Sequence, residues 1–267
     1  MKIHKFVKGN KEKLIIMSAM DLKLRYQNSL IGFLWSFLKP MMQFGVYYTV
    51  FALILNLGSG YEYALQLFFG VIIWTFFAES TSIGLNSFVS KAPIISKIRV
   101  DKLVPPVSAF ITALLSFCIN FIIFYMFYLF IYTDALSQVS LSNYSLFMAS
   151  LIQISILIIS LNIILSFSYV FFRDIQQIWE IVLMYGVFLT PILYKIPIPE
   201  DYQVLYYTVN PLAFPLENMK VALFSDYSTV LIYNLNIWVA HTFFLLILIY
   251  FSYLVKRKFE NNIVDYL

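Results

Sequence analysis

Glu79 is the side chain in this sequence most out of keeping with its surroundings. It stands beside Ser80, Thr81 and Ser82 inside the apolar run Leu65 to Val89, where a carboxylate is costly unless protein or water receives it. Two readings stay open: a structural carboxylate bonded to its Ser and Thr neighbours or to another helix, or a working group in a pore. His4 lies in a basic start and His241 in a late apolar run, neither with a Ser, Cys or carboxylate at helical spacing, so neither makes a catalytic base. His241 reads as a satisfied bundle histidine ahead of a proton relay. Cys118, the single cysteine, forms no internal disulfide and reads as a small buried apolar residue. The chain has no GxxxxGK[ST] loop, no HExxH, no GxSxG and no Cys cluster, so the usual nucleotide, zinc and nucleophile-elbow chemistries lack their residues. No metal site and no catalytic residue is expected.

Two other groupings suit transport of something large. Aromatic side chains crowd the first apolar runs, among them Tyr47, Tyr48, Phe51, Trp74, Phe76, Phe77, Tyr125 and Tyr128. Aromatic faces stack on sugar rings through weak C–H contacts that tolerate sliding; packing and lipid contact are the alternative use. The stretch Lys91 to Leu103, KAPIISKIRVDKL, places Ile94 and Ile98 on one face of a short helix. Lys97, Arg99, Asp101 and Lys102 then face solvent or a partner.

The elements that must position these residues follow from composition. With 61% apolar and 12% charged residues among 267 and a mean hydropathy of +0.81, the chain has too few charges to cover a soluble globule. Roughly 20 apolar residues cross a bilayer as a helix. Spans are expected at about Ile31 to Leu57, Leu65 to Val89, Pro105 to Tyr132, Ser145 to Phe172, Ile178 to Tyr194 and Val230 to Val255. Pro40 should kink or loosen the first. Before it, Leu14 to Met20 suits an interfacial helix, while the alternation Leu22 to Gln27 fits helix or strand. No removable signal peptide is read at the start, and no internal repeat is found.

From Lys195 to Tyr227 the chain is apolar but broken by Pro197, Pro199, Pro211 and Pro215. A short helix through Phe224 should dip into the outer leaflet, beginning at Asn210 and Pro211 or at Pro215. Of 18 Lys and Arg, 15 fall in four segments on one side of this layout, which places both termini in the cytoplasm.

The runs DLKLRYQNSLIGFLWSFLKPMMQFGVYYTVF (Asp21 to Phe51), FRDIQQI (Phe172 to Ile178), TPILY (Thr190 to Tyr194), NPLAFPLENMKVALF (Asn210 to Phe224) and FENNIVDYL at the close resemble the permease subunit of type 2 ABC exporters for polysaccharides and polyol phosphates. That family exports O-antigen, capsule or teichoic acid chains on a polyprenyl diphosphate or phospholipid carrier. The resemblance implies a multi-pass protein of the bacterial cytoplasmic membrane. It also implies a permease homodimer bound to two copies of a separate ABC ATPase, which holds the ATP and Mg, with no cofactor in this chain and no nucleic-acid partner.

The expected fold is an all-α membrane protein with six transmembrane helices, an N-terminal amphipathic interface helix, a cytoplasmic coupling helix, and outer-leaflet re-entrant helices between spans five and six. One transmembrane domain covers residues 1–267: an interface segment at 1–30, the bundle at 31–255 and a tail at 256–267. By position, Asp21 to Asn28 becomes the interface helix. Lys23, Arg25 and Arg173 become candidates for the carrier's anionic headgroup, and Ile94, Ile95, Lys97, Ile98, Arg99, Asp101 and Lys102 couple to the ATPase. Tyr47, Tyr48, Phe51, Trp74, Phe77 and Glu79 become channel-lining candidates. Asn210, Pro211 and Glu217 belong to the outer gate, and Arg173 with Asp174 marks an inner turn. Lys39 before Pro40 departs from the family's pattern, and no carbohydrate-binding domain is seen appended. The competing readings are an ion-coupled secondary transporter or lipid flippase working through Glu79, and an intramembrane enzyme acting on lipid-linked sugars.

Overall fold

The computed structural model describes residues 2–26, 32–97, 100–131, 140–195, 198–224, 227, 234–260, 263 and 266. Ile98, Arg99, Gln27 to Leu30 and the side chain of Arg25 lie outside the described set. Among the described residues every regular element is helical.

The chain opens with α1 (Lys2–Tyr26), one 25-residue helix, so Leu22 to Tyr26 is helix and not strand. Leu14, Met17, Ser18 and Asp21 recur at i, i+3, i+4 and i+7 and share one face. That face meets the start of α5 (Val104–Ile131), where Leu14 and Met17 join Val100 and Val104 in an apolar cluster. Ile15 and Ile16 are left exposed.

After a single 3-10 turn at Gly32–Leu34, α2 (Trp35–Tyr48) continues into a π-helical segment, Thr49–Ile54. Pro40 has no N–H to give the carbonyl of Ser36 one turn back. Asn120 of α5 fills the gap, its Nδ2 donating to Ser36 O at 3.2 Å. The α-helix therefore passes through Pro40, and the change of helical type comes later, at Thr49. Positive φ at Asn56 (52°) and Gly60 (78°) turns the chain back.

Next comes α3 (Gly60–Ser90), the central helix, apolar all round and buried along most of its length, as such a helix must be. It packs on α5 and on α6 (Leu141–Phe171). Phe69 and Phe76 of α3 pack on Phe117, Phe121 and Phe124 of α5, on Phe147 of α6 and on Phe224. Gly84 lets α3 and α6 approach closely, since a Cβ there would lie 2.5 Å from the Asn162 amide. Pro105 and Pro106 occupy the first turn of α5, as expected.

The remaining helices are α4 (Ala92–Ile95), α7 (Ile175–Leu189), α8 (Glu200–Val209), α9 (Ala213–Leu223) and α10 (Leu235–Phe259). Among the described residues five segments are long and apolar enough to cross a membrane: Trp35–Ile54, α3, α5, α6 and α10. The expected fifth span is shorter than Ile178 to Tyr194 suggested, because α7 stops at Leu189. Thr190, ahead of Pro191, is forced into extended backbone (ψ 142°). Fifteen residues give about 22 Å of helix, and the buried turn Thr190–Leu193 carries the chain further.

Two further expectations give way. Cys118 is exposed, because the helical period sets it on the outer face of α5 with Leu115 and Ile122. The coupling helix expected from Ile94 to Lys102 is a single turn, Ala92–Ile95. Past Lys97 the next described backbone, from Val100, is not helical until Val104, and Asp101 Oδ1 takes the Leu103 amide at 2.9 Å, a local bond that competes with helix.

Candidate functional site

One end of the bundle gathers α1, α4, the α6–α7 turn and the end of α10. Ile95 is buried with Phe88, Phe167, Val170, Val255 and Ile263, while Ile94 leans on the α1 cluster. The single turn of α4 thus has two apolar anchors, one toward α1 and one toward α6 and α10. Lys97 and Asp101 are exposed beside it and Lys102 is half-exposed.

Beneath this turn lies a buried polar junction that the sequence did not suggest. Lys91, 2% exposed, donates to Asp21 Oδ2 at 2.7 Å and to Ser108 Oγ at 2.9 Å. Ser18 Oγ donates to Ser108 O at 3.2 Å. Three elements distant in sequence, α1, the end of α3 and the start of α5, therefore meet at one ammonium group. Burial lowers the pKa of Lys91, and the Asp21 carboxylate raises it back. Local sequence carries no sign of a pair 70 residues apart.

Of the headgroup candidates, Lys23 is exposed on α1. Arg173 is exposed at the α6–α7 turn, its guanidinium 5.0 Å from the Tyr169 ring centroid, a cation–π distance.

The aromatic candidates divide. Tyr47 and Tyr48 on α2 and Phe51 on the π-helical segment after it are half-buried; Phe51 stacks on Tyr194 (6.0 Å, 16°) and Tyr48 leans on Tyr63 (6.5 Å). Trp74 and Phe77 are buried at 7% exposure each, covered by α7: Phe77 faces Trp179 at 6.2 Å, and a Cβ at Gly186 would lie 2.8 Å from Trp74 Cη2. Trp179 Nε1 donates to Thr81 Oγ1 at 3.0 Å, pinning α7 to α3. A path along Trp74 and Phe77 requires α7 to shift. Glu79 is half-buried on α3. Phe76 and Tyr128 are packing residues.

At the opposite end, α8 and α9 fold over the turn after α7. Backbone that is not helical leaves carbonyls to be satisfied when buried, and side chains take them one by one. Leu189 O accepts from Tyr206 Oη (2.6 Å) and Asn210 Nδ2 (2.9 Å); Pro191 O accepts from Lys220 Nζ; Leu193 O accepts from Tyr63 Oη (2.5 Å). Asn210 and Pro211 form the α8–α9 turn, and α9 begins at Ala213 with Pro215 in its first turn. Asn210 closes α8 and clamps α7 instead of capping α9.

Glu217 is 2% exposed and accepts from Tyr227 Oη at 2.7 Å on both oxygens, with Lys220 at 3.9 Å. Burial raises its pKa; Lys220 and the Tyr227 bond oppose the rise. His241 Nε2 meets Pro211 O at 2.9 Å, and its ring packs on Phe214 at 5.1 Å, a structural position. Among the described residues no cluster of three or more His, Cys, Asp or Glu is placed to hold a metal ion.

The bundle thus carries a helical collar at one end and a folded-back helix pair at the other. The ABC-2 type transporter family matches residues 12–224, and the chain belongs to it. Relatives include two O-antigen export system permease proteins of Klebsiella pneumoniae, 32% and 34% identical over 203 residues, 75% of each chain. A third, from Myxococcus xanthus, is 28% identical over 202 residues, 74% of this chain and 75% of that one. The chain is the membrane-embedded, multi-pass part of such a transporter.

Proposed function

We propose that this chain is the permease subunit of an ATP-driven exporter that moves a lipid-linked polysaccharide or teichoic acid across the bacterial cytoplasmic membrane. The observation that carries the reading is the similarity to O-antigen export permeases across three quarters of both chains.

A homodimer works with two copies of a separate ATPase, which binds ATP and Mg. The end bearing α1, α4 and the cations Lys256, Arg257 and Lys258 faces the cytoplasm, in keeping with the positive-inside rule. There the turn at Ile94 and Ile95, with Lys97, Ile98, Arg99, Asp101 and Lys102, meets the ATPase. Lys23, Arg25 and Arg173 receive the carrier's anionic headgroup. Closure of the ATPase pushes α4 and α1 together, because the Lys91–Asp21 pair ties one to the helix that leads into the other. Asn210, Pro211 and Glu217, in the helix pair at the far end, form the outer gate, and the aromatic faces of α2 and α3 line the path.

Co-purification with the ATPase from the neighbouring reading frame tests this. A stable complex is expected, with ATPase activity that changes when Lys97→Ala and Asp101→Ala are combined. The absence of a complex, or activity indifferent to the pair, contradicts the reading.

A further inference from the structure

Two opposite charges stand on outward faces of the apolar helices α2 and α7. Lys39 of α2 and Glu180 of α7 are both exposed, and among the described residues neither forms an ion pair. Glu180 Oε1 accepts from a neutral donor, Gln176 Nε2, at 3.0 Å. A charge inside a bilayer is costly unless an opposite charge or water receives it. A lysine near a helix end relieves the cost by reaching for the surface along its stem; the stem of a glutamate is too short for that.

We infer that Lys39 of one copy pairs with Glu180 of a second copy, and that two such pairs, related by a two-fold axis along the membrane normal, hold α2 of each copy against α7 of the other. The inference rests on the homodimer proposed above and names the contact that sets its register.

Depth and direction agree with it. Lys39 comes four residues after Trp35, the first of α2, and Glu180 five after Ile175, the first of α7, which is about 6 and 7.5 Å along their helices. The two helices run the same way, since Phe51, just beyond α2, stacks on Tyr194, just beyond α7. A two-fold axis along the membrane normal keeps depth unchanged, so Lys39 of one copy comes level with Glu180 of the other. In such a contact residue i meets j and j meets i. One pair therefore implies two, and each Lys39 and each Glu180 has its opposite charge.

The surrounding faces are open. Lys39, Met42 and Val46 follow one another at i, i+3 and i+7, and Glu180, Met184 and Phe188 at i, i+4 and i+8; all six are exposed. Their own chain covers little of either helix: Ser36 and Pro40 are the buried residues of α2, and Val187 is that of α7. An apolar stripe by itself suits lipid as well as protein. The charge at the head of each decides between them, because hydrocarbon offers no anion to Lys39 and no cation to Glu180, whereas a second copy offers both.

Co-purification of two differently tagged full-length copies from one membrane tests the pair. Lys39→Glu copies and Glu180→Arg copies are each expected to lose self-association at least fivefold against wild type, since each change sets like charges together twice. Expressed together, a Lys39→Glu copy and a Glu180→Arg copy rebuild both contacts, and their association should return to at least half that of wild type. Pairing within one chain gives no such rescue. Single reversals that associate as wild type does, or a mixture that is not rescued, overturn the inference. A second measurement avoids reversed charges: with Cys118→Ser in both copies, Lys39→Cys in one and Glu180→Cys in the other should cross-link under copper–phenanthroline at least fivefold more than Glu180→Cys with Tyr253→Cys, an exposed position near the same end on α10. Equal yields also overturn it. Wild-type copies that do not associate would overturn the homodimer as well, whereas wild-type association indifferent to the reversals overturns the ion pair alone.

Discussion

Lys91 Nζ lies 2.7 Å from Asp21 Oδ2, and the two side chains are 3% and 13% exposed. Breaking a buried pair by removing one partner costs about 3 to 5 kcal/mol, whereas replacing both with apolar groups is often neutral. Asp21→Asn is therefore expected to lower the melting temperature sharply, and Asp21→Leu combined with Lys91→Met to recover most of the loss. Thermal melts of the three variants in one detergent measure this.

The same pair sets a pH dependence. Burial holds the folded-state pKa of Lys91 below the ordinary lysine value of 10.5, and Asp21 offsets part of that. Removing Asp21 lowers it further. A lysine with a lowered folded pKa penalises folding fully while both states are protonated, and the penalty fades as pH rises through the folded value toward 10.5, where the unfolded chain binds more protons. Asp21→Asn should thus regain stability relative to wild type as pH rises. A difference in melting temperature that stays constant, or widens, with rising pH contradicts the assignment.

Pro40 and Asn120 form a second testable pair. Asn120→Leu removes the Nδ2 donor to Ser36 O, a hydrogen bond worth about 0.5 to 1.5 kcal/mol. In a Pro40→Ala background the restored backbone N–H can take that carbonyl, so the same Asn120→Leu change should cost less than half as much. Equal costs in both backgrounds, read from melts, would break the link.

Gly84→Ala puts a methyl 2.5 Å from the Asn162 amide, whose side chain is fully buried and meets Ser80 Oγ at 3.2 Å. Overpacking of this kind costs about 1 to 3 kcal/mol. Asn162→Ala should relieve most of the strain added by Gly84→Ala, a non-additivity that a double-mutant cycle reads directly.

The sequence made the helical class, five of the six spans and the short helix ending near Phe224 legible because hydropathy and proline positions act locally. Pro105 and Pro106 at the head of α5 are read correctly for that reason. The end of α7 and the shortness of α4 were not read. One depends on how far an extended residue before Pro191 carries the chain, the other on Asp101 taking the Leu103 amide. Lys91 with Asp21, and Lys220 with Pro191 and Tyr227, are tertiary meetings with no local signature. Asn120 was within reach, since an amide in an apolar run asks for a partner in the way Glu79 does. Cys118 was misplaced because an apolar run in a membrane helix does not tell an inner face from a lipid-facing one.

ATP-driven export of a lipid-linked polymer is read out by reconstitution. The chain and its ATPase partner go into vesicles carrying polyprenyl-linked polysaccharide, and movement of the polymer across the membrane is scored by its accessibility to an added glycosidase. Movement that requires both proteins and ATP, and that persists in Glu79→Gln, is expected. Movement without the ATPase, driven by a proton gradient and abolished in Glu79→Gln, would contradict it.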